Sequence, residues 1–482
     1  RTQGPDLVLP DNLTNLFIMS EAWTRAHQAE APQDTASKTE NYATRHVNGT
    51  GPYTLVSREV DSCTVMKLNP AYWGKGQFPL QVTELTYVPI KSPATRVAAL
   101  LSGEIDFLQD VPAQDVARLK SNANLKVASG LENRTIFLGL DVGSAKLRHS
   151  SVTDRNPLAD ARVREALALA FDFDWLNRHY FQGQYTRTRS YFANSAMAAS
   201  GKPDAEEMRF LKSLSSPLDP AVFGELPELP DNPDADALRR NLKRAQQLLN
   251  EAGWQVDTDG VLKNAQGQAF RFEVLGDAPA FERLATPWIH NLARLGIRVR
   301  QRMVDPALYQ KRVSTFDYDV VTTVYPMSST PGNELLQMLG SAAANDARSG
   351  NYAGVADPAV DEIIERILQV RSRDELQLAT RALDRVLRHG WYMVPQFHSS
   401  SYRVAFDWRL RHPGVLPLFY DPQSWLLETW WRDDEARPVP VAEQADAMDV
   451  PLMHLPALAM ERASQPAGVS AIGHRAGRFL TC

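Results

Sequence analysis

Paired carboxylates come nearest to a catalytic pattern in this chain. Glu104 and Asp106, and again Asp317 and Asp319, stand two apart in segments that read as strands, a spacing that puts both side chains on one face. Two such groups can divide into acid and base, but glycoside hydrolysis needs them to face each other across a substrate, and nothing in the spacing supplies that. The ten histidines are scattered, and His290 beside Trp288 and His398 after the apolar run 393–397 read as structural imidazoles. No Gly-x-x-x-x-Gly-Lys-Ser/Thr loop, His-Glu-x-x-His helix or Gly-x-Ser-x-Gly elbow occurs. Asn48-Gly49-Thr50-Gly51 precedes a strand rather than a helix, so it lacks the amides that cradle a phosphate and reads as a tight turn.

Binding chemistry is better supplied. Aromatic residues gather at loop-like positions: Tyr72-Trp73, Tyr185, Tyr191-Phe192, Tyr325, Trp391-Tyr392, Trp425 and Trp430-Trp431. Rings with polar handles suit a wide, adaptable cleft. The competing role is to cap a hydrophobic core, and it is the expected one for Trp73, Trp391 and Trp430. Cys63 and Cys482 are too few for a disulfide framework or a structural zinc site. Neither metal nor cofactor is expected.

The elements that must position these residues alternate helix and strand. A period-2 run marks a strand at 82–88, short strand-like runs fall at 53–56, 64–68 and 105–107, and apolar, buried strands at 136–140 and 317–324. Helical stripes run over 92–101, 160–170, 238–252, 281–295, 358–368 and 373–388, several of them closed by glycine (Gly103, Gly253, Gly296). Asp357-Pro358 has the form of an N-cap followed by a first helical residue. A hairpin is expected over 260–275 and a polar, Pro-rich loop over 215–236. The alternation argues for α/β architecture.

Composition sets the outer limits. The chain has 482 residues, ample for more than one core, with 44% hydrophobic and 23% charged residues and a net charge of −5. A nucleic-acid binder needs a basic excess that is absent, so nucleic acid is set aside. No apolar run approaches the length of a membrane-spanning helix. From about Glu435 onward periodicity is lost, and 434–482 reads as a disordered tail.

A series of motifs resembles the family 5 extracellular solute-binding proteins, receptors of peptide and nickel ABC importers. The series is Asn48-Gly49-Thr50-Gly51-Pro52-Tyr53, Asn69-Pro70-Ala71-Tyr72-Trp73-Gly74-Lys75, Arg96–Phe107, Asp160–Leu167, Leu248–Trp254 and Asn291–Ile297. Residues 1–160 are more similar to dipeptide- and glutathione-type receptors. The later part, with Tyr185–Phe192 and Ser329–Glu334, looks like the Yej-type receptors for oligopeptides and the peptide-nucleotide microcin C. Family members carry a long N-terminal portion and a signal peptide ahead of the first motif. Only 47 residues precede it here, so the resemblance implies that the chain lacks that portion.

The resemblance implies an α/β, two-lobed periplasmic-binding-protein-like (type II) fold with the first lobe incomplete. Residues 1–134 plus 396–433 would form lobe I, and 135–395 lobe II. It implies a periplasmic, monomeric, non-enzymatic protein that binds peptides or peptide-like solutes and delivers them to a permease in the inner membrane. The expected ligand contacts are Arg134 and Phe137 on the crossover strand, Tyr185, Arg187 and Tyr191 in the following loop, and Tyr325, Met327, Ser328 and Ser329. For Arg187 a solvated surface charge is the favoured alternative. Peptide receptors of the family hold the ligand amine with an Asp just before the loop proline. Met327 or Ser328 occupies that place, and a neutral group cannot form that ion pair. The competing functions are a hydrolase acting on peptide or glycan in the same cleft, or a non-functional truncated or fused fragment.

Overall fold

In the computed structural model, which describes residues 21–28, 49–59, 62–76, 82–90, 92–131, 134–140, 156–277, 279–326, 330–399, 401–413, 426, 429–435 and 478–481, local capping chemistry sets the element ends. Ser92 accepts a hydrogen bond from the Thr95 amide at 3.3 Å, Pro93 takes the first helical position, and Gly103 closes the helix at φ 76°. A side chain there would meet the left-handed region that glycine alone enters freely. Asp160, Asp234, Asp305, Asp357 and Ser372 cap later helices in the same way.

Two compact units emerge, the described residues of 134–399 in the larger and those of 21–131 and 401–481 in the smaller. Along the chain the smaller unit begins with helix α1 (Glu21–Gln28), strands β1 (Tyr53–Glu59), β2 (Cys63–Leu68) and β3 (Glu84–Tyr87), helix α2 (Pro93–Ser102), and strands β4 (Phe107–Gln109) and β5 (Leu125–Leu131). Past 132–133 the larger unit follows. It comprises β6 (Arg134–Leu140), α3 (Ala161–Leu169), β7 (Thr186–Arg187), α4 (Ala205–Lys212), α5 (Ala235–Glu251), β8 (Gln255–Val256), β9 (Leu262–Lys263), β10 (Arg271–Gly276), α6 (Pro279–Arg294), β11 (Arg298–Met303), α7 (Pro306–Ser314), β12 (Val320–Pro326), α8 (Pro358–Ile367), α9 (Arg373–Gly390) and β13 (Met393–His398). Past 399–400 the chain returns with β14 (Ser401–Asp407), β15 (Leu410–Arg411), β16 (Trp431–Arg432) and β17 (Arg478–Thr481).

The larger unit is built on a six-stranded sheet in the order β11-β10-β12-β6-β13-β7. Strands β10, β11 and β12 run parallel, while β6 is antiparallel to both β12 and β13. Phe270, Phe272 and Trp288 pack with Val163, Leu167 and Leu248 in one cluster, and the apolar faces of α8 and α9 meet in a second. Trp288 is fully buried and its indole donates to the Leu167 carbonyl at 2.8 Å, so its polar atom is satisfied as well. In the smaller unit, β14 lies between β4 and β5, and β1-β2-β3-β17 form a second sheet. Phe107, Phe406 and Trp430 make edge-on ring contacts there. No described helix is long and apolar enough to cross a membrane.

Several expectations change. Glu104 and Asp106 precede β4, and Asp317 and Asp319 precede β12, so neither pair shares a strand face. The fully buried Asp319 instead accepts the Glu273 amide at 2.7 Å, and Asp106 is pushed up to about 6 by burial, opposed by Arg432. Trp391 and Trp430 are buried as expected, but Trp73 is 69% exposed. The Tyr72 ring covers Gly74, where an added Cβ would come within 2.7 Å of it, and so Tyr72 takes the inward place and Trp73 points out. His290 is exposed. The 260–275 hairpin is present but short: a turn closes from the Gly267 amide to the Asn264 carbonyl at 2.9 Å, and the Phe270 amide donates to the Leu262 carbonyl at 2.8 Å around the antiparallel Lys263–Ala269 bridge, before β10 joins the parallel β11. Cys63 is a free thiol, and Cys482 lies outside the described residues. Of the expected tail, 434–435 and 478–481 are described, the latter as the strand parallel to β3.

Candidate functional site

The sheet of the larger unit collects chain ends at one side. β10, β11, β12 and β13 all run toward it, finishing at Gly276, Met303, Pro326 and His398, while the antiparallel β6 and β7 start from it at Arg134 and Thr186. In open α/β sheets, ligands bind beyond the carboxyl ends of the strands, where loops supply side chains and free amides. Register brings the expected residues together: Pro326 pairs with Arg134, Tyr325 with Thr135, and Phe137 lies between Thr323 and Pro395. Arg134, Phe137 and Tyr325 are described by their backbone only, and Met327, Ser328 and Ser329, next in sequence after β12, lie outside the described residues.

The loop residues are held by other means. Tyr185 exchanges two hydrogen bonds with Asn177 (3.1 and 2.9 Å), and its half-buried ring meets Phe181 and, edge-on, Phe397. Arg187 is buried, which corrects its reading as a solvated charge. Its guanidinium donates to the Phe171 carbonyl at 3.0 Å and lies over the Phe171 ring. Burial, with Arg189 nearby, pulls it down to about 9. β7 pairs Thr186 with His398, and the fully buried Thr188 places its hydroxyl 3.2 Å from His398 Nδ1. Burial also holds His398 below the usual imidazole value, so it stays neutral near pH 7.

Tyr191 departs from the strand-end group. It is 3% exposed, and its amide donates to Asp384 Oδ1 at 2.8 Å. Asp384 also takes the Ala199 amide at 2.9 Å, and burial, opposed by Arg388, pushes it up to about 6. Helix α9 thereby anchors residues 191–199, a segment without regular structure. Beside it, a cavity of ≈ 20 Å³ between Tyr191, Arg388 and Trp391 has room for one water and none for a peptide. Strand register puts Arg134 and Tyr325 at one end of the sheet, with Phe137 further along β6 and Tyr185 just ahead of β7, while Arg187 and Tyr191 are buried. The sequence reading missed Thr188 and Asp384. A charged residue in an amphipathic helix carries no mark of burial when an irregular segment covers its polar face.

Comparison with known proteins agrees with this architecture. The family described as bacterial extracellular solute-binding proteins, family 5 Middle, matches residues 7–347. An uncharacterized protein, y4wM, of Sinorhizobium fredii is 32% identical over 449 residues, covering 90% of this chain and 65% of its own length. A probable peptide-binding protein, YejA, of Agrobacterium fabrum is 30% identical over 441 residues, covering 88% of this chain and 68% of its own. The chain thus spans about two thirds of the length of these relatives. Among solved structures, the ABC transporter-associated periplasmic binding protein DppA of Helicobacter pylori, in complex with peptide STSA, superposes with a TM-score of 0.63 at 16% identity over 90% of this chain and 71% of its own. That likeness is one of fold. The extent of the family match and the identity to its curated relatives together place this chain in the family 5 bacterial extracellular solute-binding proteins.

Proposed function

We propose that this chain binds peptides or peptide-like solutes reversibly in the periplasm, as a monomer, and passes them to the inner-membrane permease of an ABC importer. The carrying observation is the convergence of strand ends in the larger unit, where Arg134 pairs with Pro326 and Tyr325 with Thr135, and the chain continues into 327–329. There the ligand would contact Arg134, Phe137, Tyr325, Met327, Ser328 and Ser329, with Tyr185 at the margin. Arg187 and Tyr191 hold the adjoining loop in place rather than touching the ligand. Arg134 suits a peptide carboxylate, and strand-end amides and carbonyls suit its backbone. A relative named for peptide binding and a fold shared with a peptide-bound receptor support the same reading. The family is one of binding proteins, and no reaction is assigned.

The test is incubation of the full chain with a mixed peptide library, followed by native mass spectrometry and thermal melting. Intact peptides co-migrating with the protein and a raised Tm are expected, since a ligand bound only by the native state stabilises it. Cleaved peptides would replace this reading with the hydrolase. Arg134→Ala should weaken a captured peptide by about tenfold or more, the loss of a charge-assisted pair.

A further inference from the structure

The opposite end of the same sheet carries an unexplained charge pattern. β11 is the outermost strand of the sheet among the described residues, and its exposed positions are Arg298, Arg300 and Arg302, alternating with half-buried neighbours. Parallel pairing sets Arg271, exposed at the start of β10, directly beside Arg298 on the same face, with Glu273 beside Arg300. Arg271, Arg298 and Arg302 have no ion-pair or hydrogen-bond partner among the described residues. The acidic groups nearby are already engaged: Glu273 accepts from Arg312 at 2.9 Å, and Asp257 and Asp259 both hold Lys263, at 2.7 and 2.8 Å. Arg300 reaches Glu273 only at 3.9 Å. A groove of ≈ 510 Å³ opens over this face, its charged lining made of Arg271, Arg298, Arg300 and Lys263 together with Asp259 and Glu273, the two carboxylates already engaged by Lys263 and Arg312, and its volume falls within the range of small-molecule sites.

Like charges side by side on a sheet face oppose folding, and a protein of net charge −5 has ample carboxylates with which to relieve them. Charged residues on an edge strand do discourage strand-to-strand association. That role concerns the edge alone, however, and does not account for Arg271 on the inner neighbour. A local rule broken without compensation marks a functional surface. Guanidinium groups in adjacent register, each able to donate two parallel hydrogen bonds, match the oxygens of a phosphate better than a lysine pair would.

We propose that this groove is a second binding site, for phosphate groups carrying at least two negative charges. It lies at the amino ends of β10 and β11, away from the strand-end site proposed for peptides, and does not depend on that assignment. The phosphate can belong to a soluble metabolite or to a lipid headgroup.

Titration calorimetry of the full chain with inorganic pyrophosphate at constant ionic strength tests the proposal. Saturable binding is expected, weakened at least about tenfold in the double variant Arg271→Gln/Arg298→Gln, which removes two charge-assisted contacts. Arg240→Gln, on an exposed helix face, should bind as the parent does. Arg298→Lys, which keeps the charge but loses the paired donors, should fall between parent and double variant and guards against a folding defect. Absence of saturable heat, or equal affinity in the double variant, overturns the proposal. Co-sedimentation with phosphatidic acid vesicles separates the sources. Pyrophosphate binding without vesicle retention assigns a soluble ligand, and retention abolished by pyrophosphate assigns a headgroup. Retention indifferent to pyrophosphate overturns the proposal.

Discussion

Arginine is used in two opposite ways within the larger unit. Around α9, Arg385 and Arg164 are buried, Arg388 is half-buried, and all three are bonded to backbone carbonyls. Arg385 is 0% exposed, donates to Glu207 Oε1 at 2.6 Å, and reaches the carbonyls of Ser200, Gly201 and Gly224 at 2.9–3.3 Å. Arg388 bonds the Ala199 carbonyl at 3.2 Å, and Arg164 bonds those of Leu158 and Ala159 at 2.8 Å. These guanidinium groups replace the hydrogen bonds that a segment without helix or strand cannot make for itself, and a buried carbonyl left unpaired is costly. Along β11 the same side chain is exposed, repeated at every second residue and largely without partners. Burial with partners marks a charge as part of the scaffold, whereas surplus charge around a groove is free to meet something else.

The largest effect expected from that contrast is at Arg385. Arg385→Met strands the Glu207 carboxylate and several carbonyls in the interior and should cost about 3–5 kcal/mol, read from the urea midpoint. A loss under about 1 kcal/mol, the level of an exposed ion pair, would erase the distinction between the two regions.

Asp384 sharpens the scaffold side through pH. Burial places its native value, about 6, above that of an unfolded aspartate, so the native state takes up a proton first as pH falls. As pH rises from about 4 through about 6, the native state must release that proton, and a contribution of about 3 kcal/mol is lost. Asp384→Asn does not titrate. The stability of the parent relative to this variant should therefore grow as pH falls from about 7 to about 4, measured by urea unfolding across a pH series. A constant difference would mean that the hydrogen bonds to Asp384 just balance its burial, and a difference that shrinks as pH falls would mean that they outweigh it.

The smallest effect belongs to the exposed region. Arg298→Gln relieves repulsion from Arg271 and should leave stability within about 0.5 kcal/mol of the parent, on the stabilising side. A substantial loss would show that the ladder is structural after all.

How much of this was legible in the sequence follows from where the information resides. Caps and stops are local chemistry, so Ser92 with Gly103 and Asp357 with Pro358 announced their helices nearly to the residue. The strand-end residues were expected from the family motifs alone, and strand register sets Arg134 beside Pro326. Burial of polar residues was not legible, because it depends on what covers them. Arg373–Gly390 reads as an amphipathic helix with a wet face, yet Asp384 and Arg385 on that face are buried. Arg187 was misread for the same reason, and Trp73 for the converse one, since only the fold shows which of two adjacent aromatics turns inward. The sequence analysis passed over the arginines of β11, because the facing Arg271 enters only with the parallel pairing.

The threading of the smaller unit carries a consequence for synthesis. β14 is the central strand between β4 and β5, yet it is encoded downstream of the entire larger unit. As the nascent chain leaves the ribosome, β4 and β5 must wait with a vacancy between them while the inserted unit completes its own core. Closing that gap joins residues remote in sequence, a slow step during which unpaired strand edges stay open to chaperones and to aggregation alike.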